Sequence, residues 1–544
     1  MIFYSTLLIS MLVTVILTTI LRALAIKHNW VDIPDERKIH KRPIPRIGGL
    51  AMAIGTIIPM LIWSANDQKI KMVIIGAMIL VIFGLLDDLI NLNYKIKFLS
   101  QIFAAMIVIL GGNIQITSLG LLTTEGYLLP EWLSIPLTLI VIVGVTNAIN
   151  LSDGLDGLAG GISLLCFISI GYLSYKIENL TVALCAMAVI GSLVGFLRFN
   201  TFPANVFMGD AGSQFLGFLG ITLSITITQN DSPFSPLVPL LILGFPVIDT
   251  LYVMVTRISE GKSPFYPDKN HFHHKLIRLG LYHPESVIVI YIINSILVIM
   301  ALVFKYYSEW LILTIFCSLA ACVILFFGVT ERKDWKIKRY RFIDIVIKGK
   351  LRVLKDNKIF IKYCFRAIEY GAPSLLIITS FISTSVPWGY SLGMIVMIIL
   401  SVGTFFANNI FINNQLLRLL IYLNIPIFTY FANVNIPAWM RGNISVLYNL
   451  AFILLLILVL LTIKFSKREG FKGTPTDFLI LIIAIVIPNL FDERTMYKNT
   501  MLITMQILIY LFSFEVIITE SRGKMNKIRL LFIGSMIIFV LKNI

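Results

Sequence analysis

Apolar residues in this chain run in long blocks instead of alternating or recurring at helical spacing, as in Phe3 to Leu21, Met72 to Leu86, Leu237 to Val255 and Ile444 to Ile463. Such blocks approach the roughly 20 residues a helix needs to cross hydrocarbon. Backbone facing lipid must satisfy its own hydrogen bonds, so the blocks are helices and not open strands. The pattern predicts an all-α polytopic membrane protein. Eleven spans precede the first long polar stretch, over residues 3–24, 47–64, 72–86, 98–112, 132–149, 158–175, 180–197, 213–228, 236–256, 286–304 and 309–329. The fourth is short, and a very tight turn at Lys176 to Asn179 separates the sixth from the seventh. Seven more apolar runs follow, at 372–387, 389–411, 415–433, 444–463, 477–490, 499–519 and 529–543. The first run lacks a basic leader and a small-residue cleavage site, so it is expected to be a span and not a removed signal.

Composition sharpens this picture. Of 544 residues, 58% are hydrophobic and 14% charged, where a soluble protein carries roughly a quarter charged. A net charge of +16 raises the question of nucleic acid, but the Lys and Arg flank apolar spans and topology accounts for them. The five cysteines show no paired spacing and four lie in apolar runs, which argues against disulfides and a cysteine metal site. Glu331 to Tyr370 breaks the composition with roughly thirteen basic residues among Trp335, Phe342, Ile345 and Val346. It reads as an interfacial segment on anionic headgroups or as a solvated linker. The expected organisation is a first domain over 1–330, a basic linker over 331–371 and a C-terminal transmembrane region over 372–544.

Counting crossings relates the polar segments to one another. Two spans separate the 31–46 loop from Asp87-Asp88, two more lead to Asp153–Asp156, two to Asp210, and two to the histidines at 271–274. All five segments therefore share one face, whichever face it is. Loops on that side hold roughly 27 Lys and Arg against about four (Lys69, Lys71, Lys176, Lys305) on the other. By the positive-inside rule the shared face is cytoplasmic and the N-terminus outside.

Each segment carries candidate chemistry. Asp87 and Asp88, in G-L-L-D-D-L-I-N, are costly at a membrane border unless a cation or water neutralises them. In N-A-I-N-L-S-D-G-L-D-G-L, residues Asn147, Asn150, Asp153 and Asp156 recur every three positions and would share a face on a helix. The glycines there permit a tight turn and close approach to a ligand. Asp210, between glycines in F-M-G-D-A-G-S, suits an oxygen-ligated metal or a phosphate cradle. Pro267 to Lys275 packs three of the six histidines into four residues, without the spacing of a zinc site. Arg37, Lys38, His40 and Arg46 make the first loop a candidate phosphate contact. Asp249, inside the ninth span, is either a buried polar residue facing the bundle or part of the site.

Together, D-x-P-x-x-R-K-x-H, the Asp-Asp pair, N-x-x-N-x-x-D-G-x-D-G-L, F-M-G-D-x-G-S and H-x-H-H resemble, in order, the bacterial polyprenyl-phosphate N-acetylhexosamine-1-phosphate transferases. The likeness covers about residues 1–330. Phospho-N-acetylmuramoyl-pentapeptide transferases are similar at greater distance, and the R-K-x-H and H-F-H-H loops favour the hexosamine branch. The resemblance implies transfer of a sugar 1-phosphate, here N-acetylglucosamine 1-phosphate, from a UDP-sugar to undecaprenyl phosphate. UMP is released, and a cell-surface glycan begins at the inner membrane. It implies Mg²⁺, with Mn²⁺ as substitute, at Asp210 and Asp87. Asp87, Asp88 and His274 would be catalytic. Asn147, Asn150, Asp153, Asp156, Phe207, His271, His273, Arg37, Lys38 and His40 would bind substrate. The implied partners are the two substrates and the bilayer, with no nucleic acid and with room for a homodimer. A transporter of lipid-linked sugars is the rival from another class, but its site should lie near the bilayer midplane. CDP-alcohol phosphotransferases need an Ala-Arg after Asp-Gly that Leu158-Ala159-Gly160 lacks.

Overall fold

The structure, a computed structural model, describes residues 2–32, 43–64, 66–123, 127–229, 232–263, 270–333, 335, 358–383, parts of 391–402, 421, 424–433, 437–440, 442–465, 498–520 and 526–543. The chain divides into two compact units, one built on Met1–Ile337 and the other on the chain beyond it.

The first unit is a bundle of helices α1 (Ile2–Lys27), α2 (Gly48–Ser64), α3 (Gln68–Ile90), α4 (Tyr94–Met106), α5 (Glu131–Leu151), α6 (Leu158–Lys176), α7 (Leu180–Asn200), α8 (Gly209–Thr228), α9 (Val238–Ile242), α10 (Gly244–Ser259), α11 (Phe272–Arg278), α12 (His283–Phe304) and α13 (Glu309–Arg332). Each of the eleven expected spans is represented. The fourth continues from α4 into a π-turn at Ile107–Gly111. The ninth is broken at Leu243, which separates α9 from α10; the buried Cys166 thiol donates to the Ile242 carbonyl beside the break at 3.0 Å. A two-stranded antiparallel clip, β1 (Val31–Asp32) with β2 (Ile44–Pro45), closes the base of the first loop. Among the described residues, ten helices are long and apolar enough to cross a membrane, and α2, at 17 residues, falls just short. The protein is an all-α, multi-pass membrane protein.

Helix α8 is the axis of this unit, buried along almost its whole length against α2, α3, α5 and α6. Small residues let the backbones close on one another. A Cβ on Gly84 of α3 would lie 2.5 Å from the Ala211 Cα, and one on Gly49 of α2 would lie 2.2 Å from the Gly212 nitrogen. Helix α3 shows how burial aims a functional residue. Ile75, Met78, Ile82, Leu86 and Leu89 form an exposed apolar stripe facing lipid, while Ile70, Val73, Ala77, Leu80 and Gly84 are packed inside. Asp87 is the next position on the packed stripe, so it is carried inward to α8.

In the second unit, helices cover Asn443–Phe465, Lys498–Glu520 and Asn526–Asn543, close to three of the expected apolar runs, and Lys358–Ile382, which overlaps the run expected at 372–387 but begins inside the basic stretch expected as a linker. The run at 477–490 lies outside the described residues. Polar side chains link the helices inside the bundle. Thr379 Oγ1 meets the hydroxyls of Tyr448 (2.8 Å) and Tyr510 (2.6 Å), and Asn433 donates to Gln506, which donates to Asn449. Every one of these groups finds a partner, as helix association in lipid requires.

Candidate active site

The carboxylates converge where α3 and α5 end and α8 begins. Lys97, in the first turn of α4, places its ammonium 2.5 Å from Asp87 Oδ2 and 3.2 Å from Asp210 Oδ2. Each carboxylate ties its other oxygen to the frame. Asp87 Oδ1 accepts from the Leu92 N–H at 2.8 Å, and Asp210 Oδ1 from Asn150 Nδ2 at 3.2 Å. Asn150 also donates to Ser213 Oγ at 2.7 Å.

Asp88 is held differently. Its carboxylate accepts from the backbone N–H groups of Asp210 (3.2 Å) and Ala211 (3.4 Å). It thereby caps the N-terminus of α8, where the helix dipole favours an anion. Arg46 lies 3.9 Å away and pairs with Asp32 at 3.0 Å. Gly209 makes the cap possible. Its φ is +66°, and a Cβ there would sit 2.2 Å from Asp88 Oδ2. The 205–209 loop is itself fastened to the clip, since the Phe207 N–H donates to the Pro45 carbonyl and the Gly48 N–H to the Phe207 carbonyl, both at 2.9 Å. The Phe207 side chain is half-buried beside this junction.

The four Asn and Asp residues do not share one helical face. Helix α5 stops at Leu151, so Asn147 and Asn150 stand on it while Asp153 and Asp156 lie in the turn beyond, where Gly157 adopts φ +80°. Asn147 forms the floor of the site, exchanging hydrogen bonds with Gln101, which also donates to Gln214. Asp153 faces the other carboxylates. Burial and the charges of Asp210, Asp88 and Asp156 push it up to about 7, with Arg46 pulling the other way. Asp156 pins the neighbouring loop by accepting from the Ala204 N–H at 2.9 Å, and its own N–H donates to His283 Nε2 at 3.2 Å.

The histidines arrive on α11 and its preceding turn. His271 Nδ1 lies 2.9 Å from Asp249 Oδ2, and the Phe272 N–H donates to Asp249 Oδ1 at 2.8 Å. Asp249 thus fixes both the His271 ring and the start of α11. His273 packs against the aspartate turn, where a Cβ on Gly154 would meet its Nε2 at 2.2 Å. Burial, with His274, His271 and His283 nearby, holds His273 well below the ordinary imidazole range. It is therefore a neutral hydrogen-bonding ring at pH 7 and not a cation. His274 is half-buried, its ring centroid 4.2 Å from that of His273. Arg37, Lys38 and His40 lie outside the described residues.

Sequence reasoning passed over Lys97, Gln101 and His283, and left Asp249 undecided. Lys97 and Gln101 are one turn apart at the start of α4 (on the side where α3 delivers Asp87), and the crossing count applied to span starts as well as loops points to them.

The fold and site define an integral-membrane protein with an acidic, cation-bridged centre at one end of its bundle, beside a histidine cluster. Residues 70–228 match glycosyl transferase family 4. The chain is 38% identical over 335 residues to a probable undecaprenyl-phosphate N-acetylglucosaminyl 1-phosphate transferase of Bacillus subtilis (strain 168), covering 61% of this chain and 93% of that protein. It is 29% identical over 347 residues to the undecaprenyl-phosphate alpha-N-acetylglucosaminyl 1-phosphate transferase of Yersinia pestis (62% and 93%), and 29% over 345 residues to that of Escherichia coli strain K12 (62% and 91%). The chain belongs to the polyprenyl-phosphate N-acetylhexosamine-1-phosphate transferase family, and it is a phosphosugar transferase enzyme.

Proposed function

We propose that the protein transfers N-acetylglucosamine 1-phosphate from UDP-N-acetylglucosamine to undecaprenyl phosphate at the cytoplasmic face of the cell membrane, releasing UMP and starting a cell-surface glycan. The names of the relatives support the acceptor and the transferred sugar phosphate, the UDP donor rests on the family resemblance, and the loop charge supports the sidedness. The observation that carries the reading is the convergence of Asp87 and Asp210, from separate helices, on one cation.

In the reaction an oxygen of the acceptor phosphate attacks the β-phosphorus of the donor. The bond from that phosphorus to the oxygen bridging the α-phosphate breaks, and UMP departs with the bridging oxygen. Both reactants are anions, so their repulsion is the first obstacle. Mg²⁺, with Mn²⁺ as substitute, fits the centre. Among the described residues no group of three or more His, Cys, Asp or Glu forms a complete metal cage. Mg²⁺ needs none, since one or two carboxylates, retained waters and substrate phosphates complete its shell. Asp87 and Asp210 would hold it, each with one oxygen fixed and one turned inward. When bound, a divalent ion screens the phosphates and stabilises charge in an in-line displacement.

The chain's own residues do the remainder. Asp88 keeps the N-terminus of α8 in place. A phosphate monoester has its second pKa near 6, so the acceptor is largely ionised at neutral pH and needs no base. Asp153 and Phe207 would contact the nucleotide, and neutral His273 with His274 would donate hydrogen bonds to the diphosphate and sugar. The polar cluster lies at helix ends, which argues against a midplane transporter site. The test offers purified protein a panel of UDP-sugars with undecaprenyl phosphate and Mg²⁺, reading UMP. UDP-N-acetylglucosamine should be preferred, and Asp210→Ala should abolish release. Near-native turnover of Asp210→Ala would sink the metal assignment.

A further inference from the structure

Lys97 occupies the point at which the metal reading needs a cation. Asp87 and Asp210 each anchor one oxygen on the protein, through Leu92 and Asn150, and turn the other toward the same ammonium. Two carboxylates facing one point are a seat for a cation more generally than for a lysine. With Lys97 the trio keeps a net charge of −1; with a divalent ion in its stead the two carboxylates would be neutralised in full. The Lys97 side chain is 32% exposed. An ammonium on a flexible four-carbon stem, rooted in the exposed first turn of a helix, can leave without disturbing the bundle.

We propose that Lys97 is the resident counter-ion of the divalent-cation seat. Its ammonium holds Asp87 and Asp210 together in the metal-free protein and leaves when the divalent ion enters. The inference rests on the reading that Asp87 and Asp210 carry the metal. Lys97 then competes with the ion, so the free protein binds metal weakly. The displaced ammonium is left beside an anionic substrate, where a phosphate oxygen is its natural next partner. Loading of the metal and of the phosphates is coupled in this way. Either cation prevents the two carboxylates from repelling one another unscreened.

The experiment titrates full-length protein in detergent with Mn²⁺ alone, reading free Mn²⁺ by its paramagnetic resonance signal, with no substrate present. Removing a unit charge some 4 Å from the ion should tighten binding by about tenfold or more in Lys97→Met. Lys97→Arg, which retains the competing charge, should bind no more tightly than wild type. Lys97→Gln runs in parallel, so that the Gln against Arg contrast carries the comparison if the Met variant does not fold. Asp210→Asn should remove the binding in each background. Unchanged or weaker Mn²⁺ affinity in Lys97→Met and Lys97→Gln, with binding still dependent on Asp210, overturns the inference and leaves the metal reading standing. Mn²⁺ binding indifferent to Asp210→Asn overturns both.

Discussion

Replacing Asp249 by Asn alters one proton position at the histidine cluster with almost no change of shape. Asp249 is buried, as is His271, and its two oxygens serve His271 Nδ1 at 2.9 Å and the Phe272 N–H at 2.8 Å. The Asn carbonyl oxygen can keep the Phe272 bond, which leaves the amide NH₂ facing His271. The ring then has to accept at Nδ1 and carry its proton on Nε2, the reverse of the tautomer that the carboxylate imposes. A hydrogen bond to a charged group contributes about 1.5–3 kcal/mol and a neutral one about 1, so the structural loss is about 1–2 kcal/mol and the protein folds. The functional loss should be larger. Losing the partner that orients a functional histidine typically costs about 10–100-fold, and here it should fall on kcat, with KM changed less than about twofold. The assay is UMP release over a range of donor concentrations at saturating acceptor, which separates kcat from KM, alongside thermal unfolding. Turnover within about twofold of wild type refutes the claim that Asp249 sets the state of His271. So does a loss carried wholly by KM.

Two further substitutions probe the carboxylates. Gly209→Ala places a methyl 2.2 Å from Asp88 Oδ2 at a φ of +66°. The αL strain costs about 1–2 kcal/mol, and moving Asp88 by about 1 Å should lower kcat on the order of a hundredfold; a fall of less than threefold would mean that the cap on α8 is dispensable. Asp153, pushed up to about 7, favours its protonated form in the folded protein. Its contribution to stability is present in full below the ordinary carboxylate range near pH 4 and is lost as pH rises through about 7. Asp153→Asn should therefore be more stable than wild type at pH 8, by about 2–4 kcal/mol in metal-free buffer. The advantage should vanish near pH 4, and a pH-independent difference would show that Asp153 is not desolvated.

The spans were legible because hydrocarbon demands blocks of about 20 apolar residues, and crossing parity gathered the polar segments before any contact was known. Asp87 could be aimed inward from its register on α3, where buried positions step by three and four. Lys97 was lost for a specific reason. Starting the fourth span at 98 leaves Lys95 and Lys97 as loop charge, whereas α4 begins at Tyr94 and draws Lys97 into the bundle. The three-residue spacing from Asn147 to Asp156 suggested one face, but α5 stops at Leu151 and the turn beyond it, with Gly157 at φ +80°, carries Asp156 to the Ala204 N–H. Asp249 finds His271 across 22 residues of sequence, and no local period encodes that pairing. His283 resembles an ordinary polar start to α12, yet its ring fixes the Asp156 backbone.

The central claim is that a phosphate travels with the sugar. UDP-N-acetylglucosamine labelled with ³²P at the β-phosphate, incubated with purified protein, undecaprenyl phosphate and Mg²⁺, tests it directly. The account predicts that the label passes into the lipid phase in step with release of unlabelled UMP. Sugar reaching the lipid while the label stays in released UDP, or no transfer to the lipid at all, would contradict it.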